Sequence, residues 1–319
     1  MTSTSDRPAK VVTSTLSKIL RIAICGAILV GLGLTFRRLD MRALGQALAK
    51  SQPVPLILAS VLAVTQVLFR GLVFRTLMLP VIRLPWTRAL RYTVAGFATS
   101  SVAPGRAGDF LRMHLLKRDG NVPYSATAAT LVVDKILDVV AMFIVVAPAT
   151  WLIPSLPSWV VPSVLVVAGL AIASAILLLG LASRPRPPRW LTGFHAGVAV
   201  IRRPSLLVLS VLLGVVSWAL DFLCICAVMR AVGITLPAAA AMLVLLSVNL
   251  ALAVPAMPAN VGTVEFSVMA VLRPLGVPAE LGLAVGLVYH LIQMVPVATL
   301  ALIDSRFAAS GRAVEPRAE

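Results

Sequence analysis

Long apolar stretches, broken only by short basic connections, leave this chain few folds open to it. A helix needs about 20 apolar residues to cross a hydrocarbon core roughly 30 Å thick, because each residue rises about 1.5 Å. Stretches near 19–36, 54–79, 89–103, 124–147, 159–182, 205–229, 238–256 and 279–302 are rich in Leu, Val and Ala over helical lengths. Backbone amides facing lipid must bond within their own helix or within a closed barrel, and the short alternating strands of a barrel are absent. The expected fold class is therefore all-α, a polytopic membrane helix bundle. Hydrophobic residues are 59% of the chain and charged ones 13%, against about 25% charged in an ordinary soluble domain. That composition leaves no room for a separate soluble catalytic domain.

A single transmembrane domain is expected over 19–303, between cytoplasmic tails at 1–18 and 304–319. The first apolar run follows Arg7, Lys10, Lys18 and Arg21 with no close small-residue cleavage site, so it reads as an uncleaved signal anchor. The net charge of +16 does not point to nucleic acid, because the basic residues sit mostly in the connections. Arg184, Arg186, Arg189, Arg202 and Arg203 share one connection without an acid, whereas 148–157 carries no charge. The first is expected on the cytoplasmic side and the second outside. Arg37, Arg38, Arg42 and Lys50 then fall outside, a conflict that an interfacial helix would resolve. Cys25, Cys224 and Cys226 lie in apolar segments without zinc spacing and read as small fillers.

The two halves resemble each other. One apolar helix carries Arg70 and Arg75, then a shorter segment ends at Pro104-Gly105-Arg106-Ala107-Gly108-Asp109, and a later span carries Asp134, Lys135 and Asp138. In the second half a helix with Asp221 leads to the motif from Pro258 to Glu265, and a final span carries His290 and Gln293. Pro104 to Gly108 and Pro258 to Gly262 are both intervals of four. Two internal repeats are expected, near 19–147 and 159–302. Around each motif the flanking segments are short: 89–103 with 105–116, and 238–256 with 260–273. Either each pair enters the membrane and turns back at its Pro/Gly tip, or the chain has eight or more ordinary spans. The first alternative gives three full spans per half and inverts the second repeat, a common transporter design with the substrate near the midplane.

Charges within such segments cost about 2.5–3.5 kcal/mol each on insertion scales, so they must face protein, water or a head group. Arg106, Asp109 and Arg112 recur at intervals of three, on one helix face just after Pro104-Gly105. Free N–H groups at that helix start and a planar guanidinium both suit a phosphate. The set is either a phosphate-binding floor or an ion pair closing a hairpin. Asp134 and Asp138 share a face and could pair with Arg70, Arg75 or Arg112, or relay protons. Glu265 is either a proton or substrate carrier or a partner of Arg273, and Asn260 sits at the second tip. His290 and Gln293 lie one turn apart, while Asp221 and Asn249 are polar residues inside apolar helices. No nucleophile constellation, phosphate-binding loop, dinucleotide fingerprint or metal motif is legible, so neither an enzyme nor a cofactor is expected.

These residues resemble the lysylphosphatidylglycerol synthase transmembrane region family, also called flippase-like integral membrane proteins. The resemblance covers nearly the whole chain. It is carried by Pro104 to Arg112, by Asp134-Lys135-Ile136-Leu137-Asp138 and by Pro258 to Glu265. The family patterns run roughly Pro-x-Arg-x-Gly-Glu-x-x-Arg, Glu-Arg-x-x-Asp and Pro-Gly-x-x-Gly-x-x-Glu. Asp109, Asp134 and Lys135 depart conservatively and Ala259 less so, which alters the reach of the acids and the tightness of the second tip.

The best-understood members carry this region fused to an aminoacyl-transferring domain, and the membrane part is associated with moving aminoacylated phospholipid between leaflets. The resemblance thus implies lipid handling without lipid synthesis for this stand-alone region. The expectation is a flippase or transporter of the bacterial inner membrane that takes an anionic phospholipid or lipid-linked glycan. Its substrate-binding set would be Arg70, Arg106, Asp109, Arg112, Asp134, Asp138, Asn260, Glu265 and His290, with Arg106 and Arg112 on the head group and Glu265 gating. The alternative is a non-transporting accessory subunit for an envelope glycosyltransferase or lipid synthase.

Overall fold

A computed structural model describes residues 41–102, 107–149, 192–252 and 260–310, with isolated positions between 162 and 180. All the regular structure among the described residues is helical, and they pack as an all-α bundle. A short helix, α1 (Met41–Ala49), buries Leu44 and packs on the last helix. It carries Arg42, one of the basic residues for which an interfacial helix was expected.

Two long helices form the spine, α2 (Pro53–Met78) and α7 (Pro204–Ala231). Each opens on a proline, whose fixed φ suits the first turn and whose missing N–H costs nothing there. They run antiparallel. The Gln52 amide donates to the Ala231 carbonyl at 2.9 Å, the Cys224 thiol to Ala59 O at 3.5 Å, and the Arg70 guanidinium lies 4.5 Å from the Trp218 ring centre. Both are long and apolar enough to cross a membrane, by length and composition. Their outer faces carry exposed Val54, Ile57, Leu58 and Val61 on α2 and Val208, Leu209, Leu212 and Val216 on α7. Such contiguous apolar surface is a liability in water and an asset in lipid.

Around the spine, α3 (Trp86–Val102) pairs with α4 (Ala107–Gly120), and α8 (Ala238–Leu252) with α9 (Thr263–Leu272). The described parts of these helices have 17, 14, 15 and 10 residues, against the about 20 that a roughly 30 Å core requires. They fall on the short segments read beside the two motifs. Both tips, with Pro104, Gly105 and Arg106 in the first and Pro258 and Ala259 in the second, lie outside the described residues. The longer α5 (Tyr124–Val146) and α10 (Ala279–Ser310) complete the two halves.

The described residues add detail in three places. The basic connection 184–203 contains a helix, α6 (Thr192–Gly197), and a 3-10 turn (Val198–Arg202). Val198 and Val200 are buried and the Thr130 hydroxyl donates to Gly197 O at 3.1 Å, so a few apolar residues dock this loop onto α5 despite its arginines. Helix α10 runs to Ser310, since its polar last turns contain no residue that breaks a helix. Helix α4 likewise extends past 116 through Lys117 to Gly120, where Asn121 takes a left-handed φ of 51°. The expected spans 19–36 and 159–182 and the tail 1–18 fall outside the described residues, apart from the isolated positions. Cys25 does too, while Cys224 is buried and Cys226 half-buried, both as free thiols.

Candidate functional site

The polar residues that the apolar exterior excludes converge on a cavity of about 330 Å³ between the two halves. Its wall includes Arg70 on α2, Arg112 on α4, Asp134, Lys135 and Asp138 on α5, Trp218 and Asp221 on α7, and Tyr289, His290 and Gln293 on α10. Asn249 on α8 and Asn260 at the start of the second motif complete it.

Arg112 is held by shape. Gly96 leaves the space that the guanidinium fills, since a Cβ there would overlap Arg112 Nε. The α3–α4 crossing is tight for the same reason, because a Cβ on Gly108 would overlap the Gly96 carbonyl. The guanidinium lies between the rings of Phe74 and Phe97, at 5.4 and 5.1 Å from their centres. Nη2 donates to Thr93 O at 3.3 Å and Nη1 is 3.9 Å from Asp109 Oδ1. The side chain is 5% exposed, yet Nε has no partner among the described residues. Asp109 thus steadies Arg112 at long range and is not itself on the cavity wall.

Arg70 pairs directly with Asp138 across α2 and α5. The Trp218 indole N–H donates to the same carboxylate at 2.9 Å and to the Asp138 carbonyl at 3.0 Å. Asp134, one turn earlier, makes no hydrogen bond or ion pair among the described residues. Arg75 takes no part, since its Nε donates to Leu84 O at 3.1 Å. In the second half Asp221 accepts from Tyr289 Oη at 2.9 Å and from Gln293 Nε2 at 2.6 Å.

Glu265 does not pair with Arg273. Its Oε1 lies 2.7 Å from His290 Nδ1, and its Oε2 accepts from the Gly262 amide at 2.7 Å. Gly262 has a φ of 82°, a backbone state that glycine tolerates and other residues resist. The approach of α9 to α10 depends on Gly286, where a Cβ would stand 2.7 Å from Glu265 Cα. With both oxygens engaged and 5% exposure, Glu265 stands behind the cavity wall, and His290 is the residue that lines it.

Of the nine expected site residues, the structure thus brings Arg70, Arg112, Asp134, Asp138, Asn260 and His290 to one cavity. It sets Asp109 and Glu265 immediately behind that wall, and Arg106 lies outside the described residues. Trp218, Tyr289 and the Phe74–Phe97 clamp were not expected. An aromatic residue in an apolar helix gives no sign of its partner, although Trp and Tyr buried in lipid must place an N–H or O–H somewhere.

Residues 18–301 match the family described as Lysylphosphatidylglycerol synthase TM region. No curated protein matches the chain. Family and apolar helices together mark a membrane protein.

Proposed function

Because this chain belongs to the lysylphosphatidylglycerol synthase TM region family, we propose that it is a multi-pass protein of the bacterial cytoplasmic membrane that moves a lipid with an anionic head group between leaflets. The observation that carries this reading is Arg112. Its guanidinium is buried on the cavity wall with Nε unpartnered among the described residues, and Asp109 is 3.9 Å away. A buried cation with a spare donor is costly unless an anion joins it, and a guanidinium plane suits phosphate. The head group of an anionic phospholipid or of a lipid-linked glycan would supply that anion.

The order of the helices supports the same reading. Long helix, two short helices and long helix follow in order twice. Arg70 bonds Asp138 and Tyr289 bonds Asp221, each pair 68 residues apart. With α2 antiparallel to α7, a two-fold relation between the halves would lie in the membrane plane, and the cavity would sit near the midplane. Sidedness follows from Arg202 and Arg203 at the start of α7, which we place in the cytoplasm.

A second reading, an accessory subunit that docks an envelope glycosyltransferase or lipid synthase, is favoured by one fact. Asp138, Asp221 and Glu265 already have protein partners and need no ligand. Native mass spectrometry of wild type and Arg112→Ala, paired with a leaflet-exchange assay in proteoliposomes, separates the two. An anionic lipid retained and exchanged by wild type but not by Arg112→Ala supports transport. Equal lipid retention and no exchange in either protein supports the accessory reading.

A further inference from the structure

We infer that His290 takes up a proton when the cavity takes up an anionic head group, so that the proton is the second ligand of this site. The inference rests on the lipid-handling reading above and adds what accompanies the lipid. His290 is 8% exposed on α10, its Nδ1 is 2.7 Å from Glu265 Oε1, and its ring lines the cavity. Nε2 has no protein partner among the described residues. With Nδ1 committed to the carboxylate, Nε2 is an acceptor in the neutral ring and a donor in the imidazolium.

The two states meet a phosphate differently. A neutral ring offers it a lone pair, which repels an anion. An imidazolium offers it an N–H, and Glu265 behind the ring balances the added charge. Glu265 cannot easily serve the ligand itself, because its second oxygen is held by the Gly262 amide. The carboxylate therefore acts as a positioning residue that fixes the ring and compensates its charge.

Other charged groups around His290 are committed or lie across the cavity. On α2 Arg70 is paired with Asp138 of α5, and on α7 Asp221 accepts from Tyr289 and Gln293 of α10 itself. Arg112 on α4 carries a fixed charge, while α3 and α8 offer the neutral Thr93, Ser100 and Asn249. From α1, which also packs on α10, the charged group is Arg42, with Lys50 just past its end, and Glu280 lies in the first turn of α10. Among the described residues Asp134, beside Lys135, is the acid on the wall without an ion-pair partner, and it is the competing proton site.

The test is the affinity of the full-length protein in nanodiscs for a soluble short-chain phosphatidylglycerol, whose phosphodiester stays charged between about pH 5 and 8. If one proton enters with the lipid, binding tightens as pH falls, by up to about tenfold per pH unit. His290→Gln loses the gain in binding at low pH, so its affinity at about pH 5 is no higher than at about pH 8 and the slope is flat. Glu265→Gln, which removes the balancing charge, shrinks the gain in binding at low pH, and Asp134→Asn leaves the slope intact. A flat wild-type profile overturns the inference while leaving the lipid site standing. So does a slope that survives in His290→Gln, or one that vanishes in Asp134→Asn. No binding at any pH, with the protein folded by its thermal transition, removes the lipid-handling reading and this inference together.

Discussion

Gly286 lies directly under Glu265 where α9 and α10 cross, so close that a Cβ on the glycine would stand 2.7 Å from the glutamate Cα. One turn along α10, His290 reaches the Glu265 carboxylate because of that approach. Gly286→Val should therefore separate the two helices and break the pair. Overpacking of this kind costs about 1–3 kcal/mol, and the thermal transition in detergent should fall accordingly. Gly45, which has open space around it, is the control position, and Gly45→Ala should leave the transition in place.

Arg70 and Asp138 offer a second test, because the Trp218 indole shares their carboxylate. Removing one member of a buried pair leaves the other uncompensated, typically at about 3–5 kcal/mol. Asp138→Ala and Arg70→Met should each destabilise strongly, while the double variant should be more stable than the sum of the two predicts. A double-mutant cycle by chemical unfolding reads the coupling. Strict additivity would mean that the pair carries no interaction of its own.

How much of this was legible beforehand depends on the kind of contact. Arg70, Arg112, Asp134 and Asp138 stand out because a charge in an apolar helix is expensive, and the cavity collects all four. The short helices on either side of the two motifs were legible from Pro/Gly placement and segment length. Partners were not. Arg273 is eight residues from Glu265 and was the natural guess, but α9 places it beyond the helix, where it is exposed. The true partner, His290, is 25 residues away and depends on a helix crossing. Gly282 and Gly286 are spaced as small-x-x-x-small, a known sign of close helix approach. The spacing marks a contact face without saying which helix meets it.

Asp119, beyond the stretch 105–116 expected to enter the membrane, gives a pH prediction. Arg118 Nε donates to its carboxylate at 2.6 Å and Tyr92 Oη at 2.7 Å. The Arg118 hydrogen bond holds the carboxyl below its ordinary value of 3.8, partial burial opposes it, and the Tyr92 hydrogen bond adds to the lowering. A carboxyl lowered in the folded state stabilises above its unfolded value, and that contribution is lost as pH falls through the folded one. Asp119→Asn should thus melt below wild type near neutral pH, and the gap should close below about pH 4. Melting curves across that range decide it, and a gap independent of pH would rule out this carboxylate as the cause.

The most direct probe of the cavity separates the charge of Arg112 from its shape. Arg112→Lys keeps a cation but loses the plane that fits between Phe74 and Phe97, and it loses Nε altogether. Gly96→Val keeps the arginine but fills the space that its guanidinium occupies. If phosphate recognition depends on a positioned fork, both variants should lose co-purified anionic lipid nearly as fully as Arg112→Ala does. If a point charge suffices, Arg112→Lys should retain lipid while Gly96→Val, with its cation displaced, loses it. Native mass spectrometry of the three proteins, each checked for an intact thermal transition, reads both outcomes. The pattern across the three tells whether this wall selects a phosphate by geometry or only gathers negative charge.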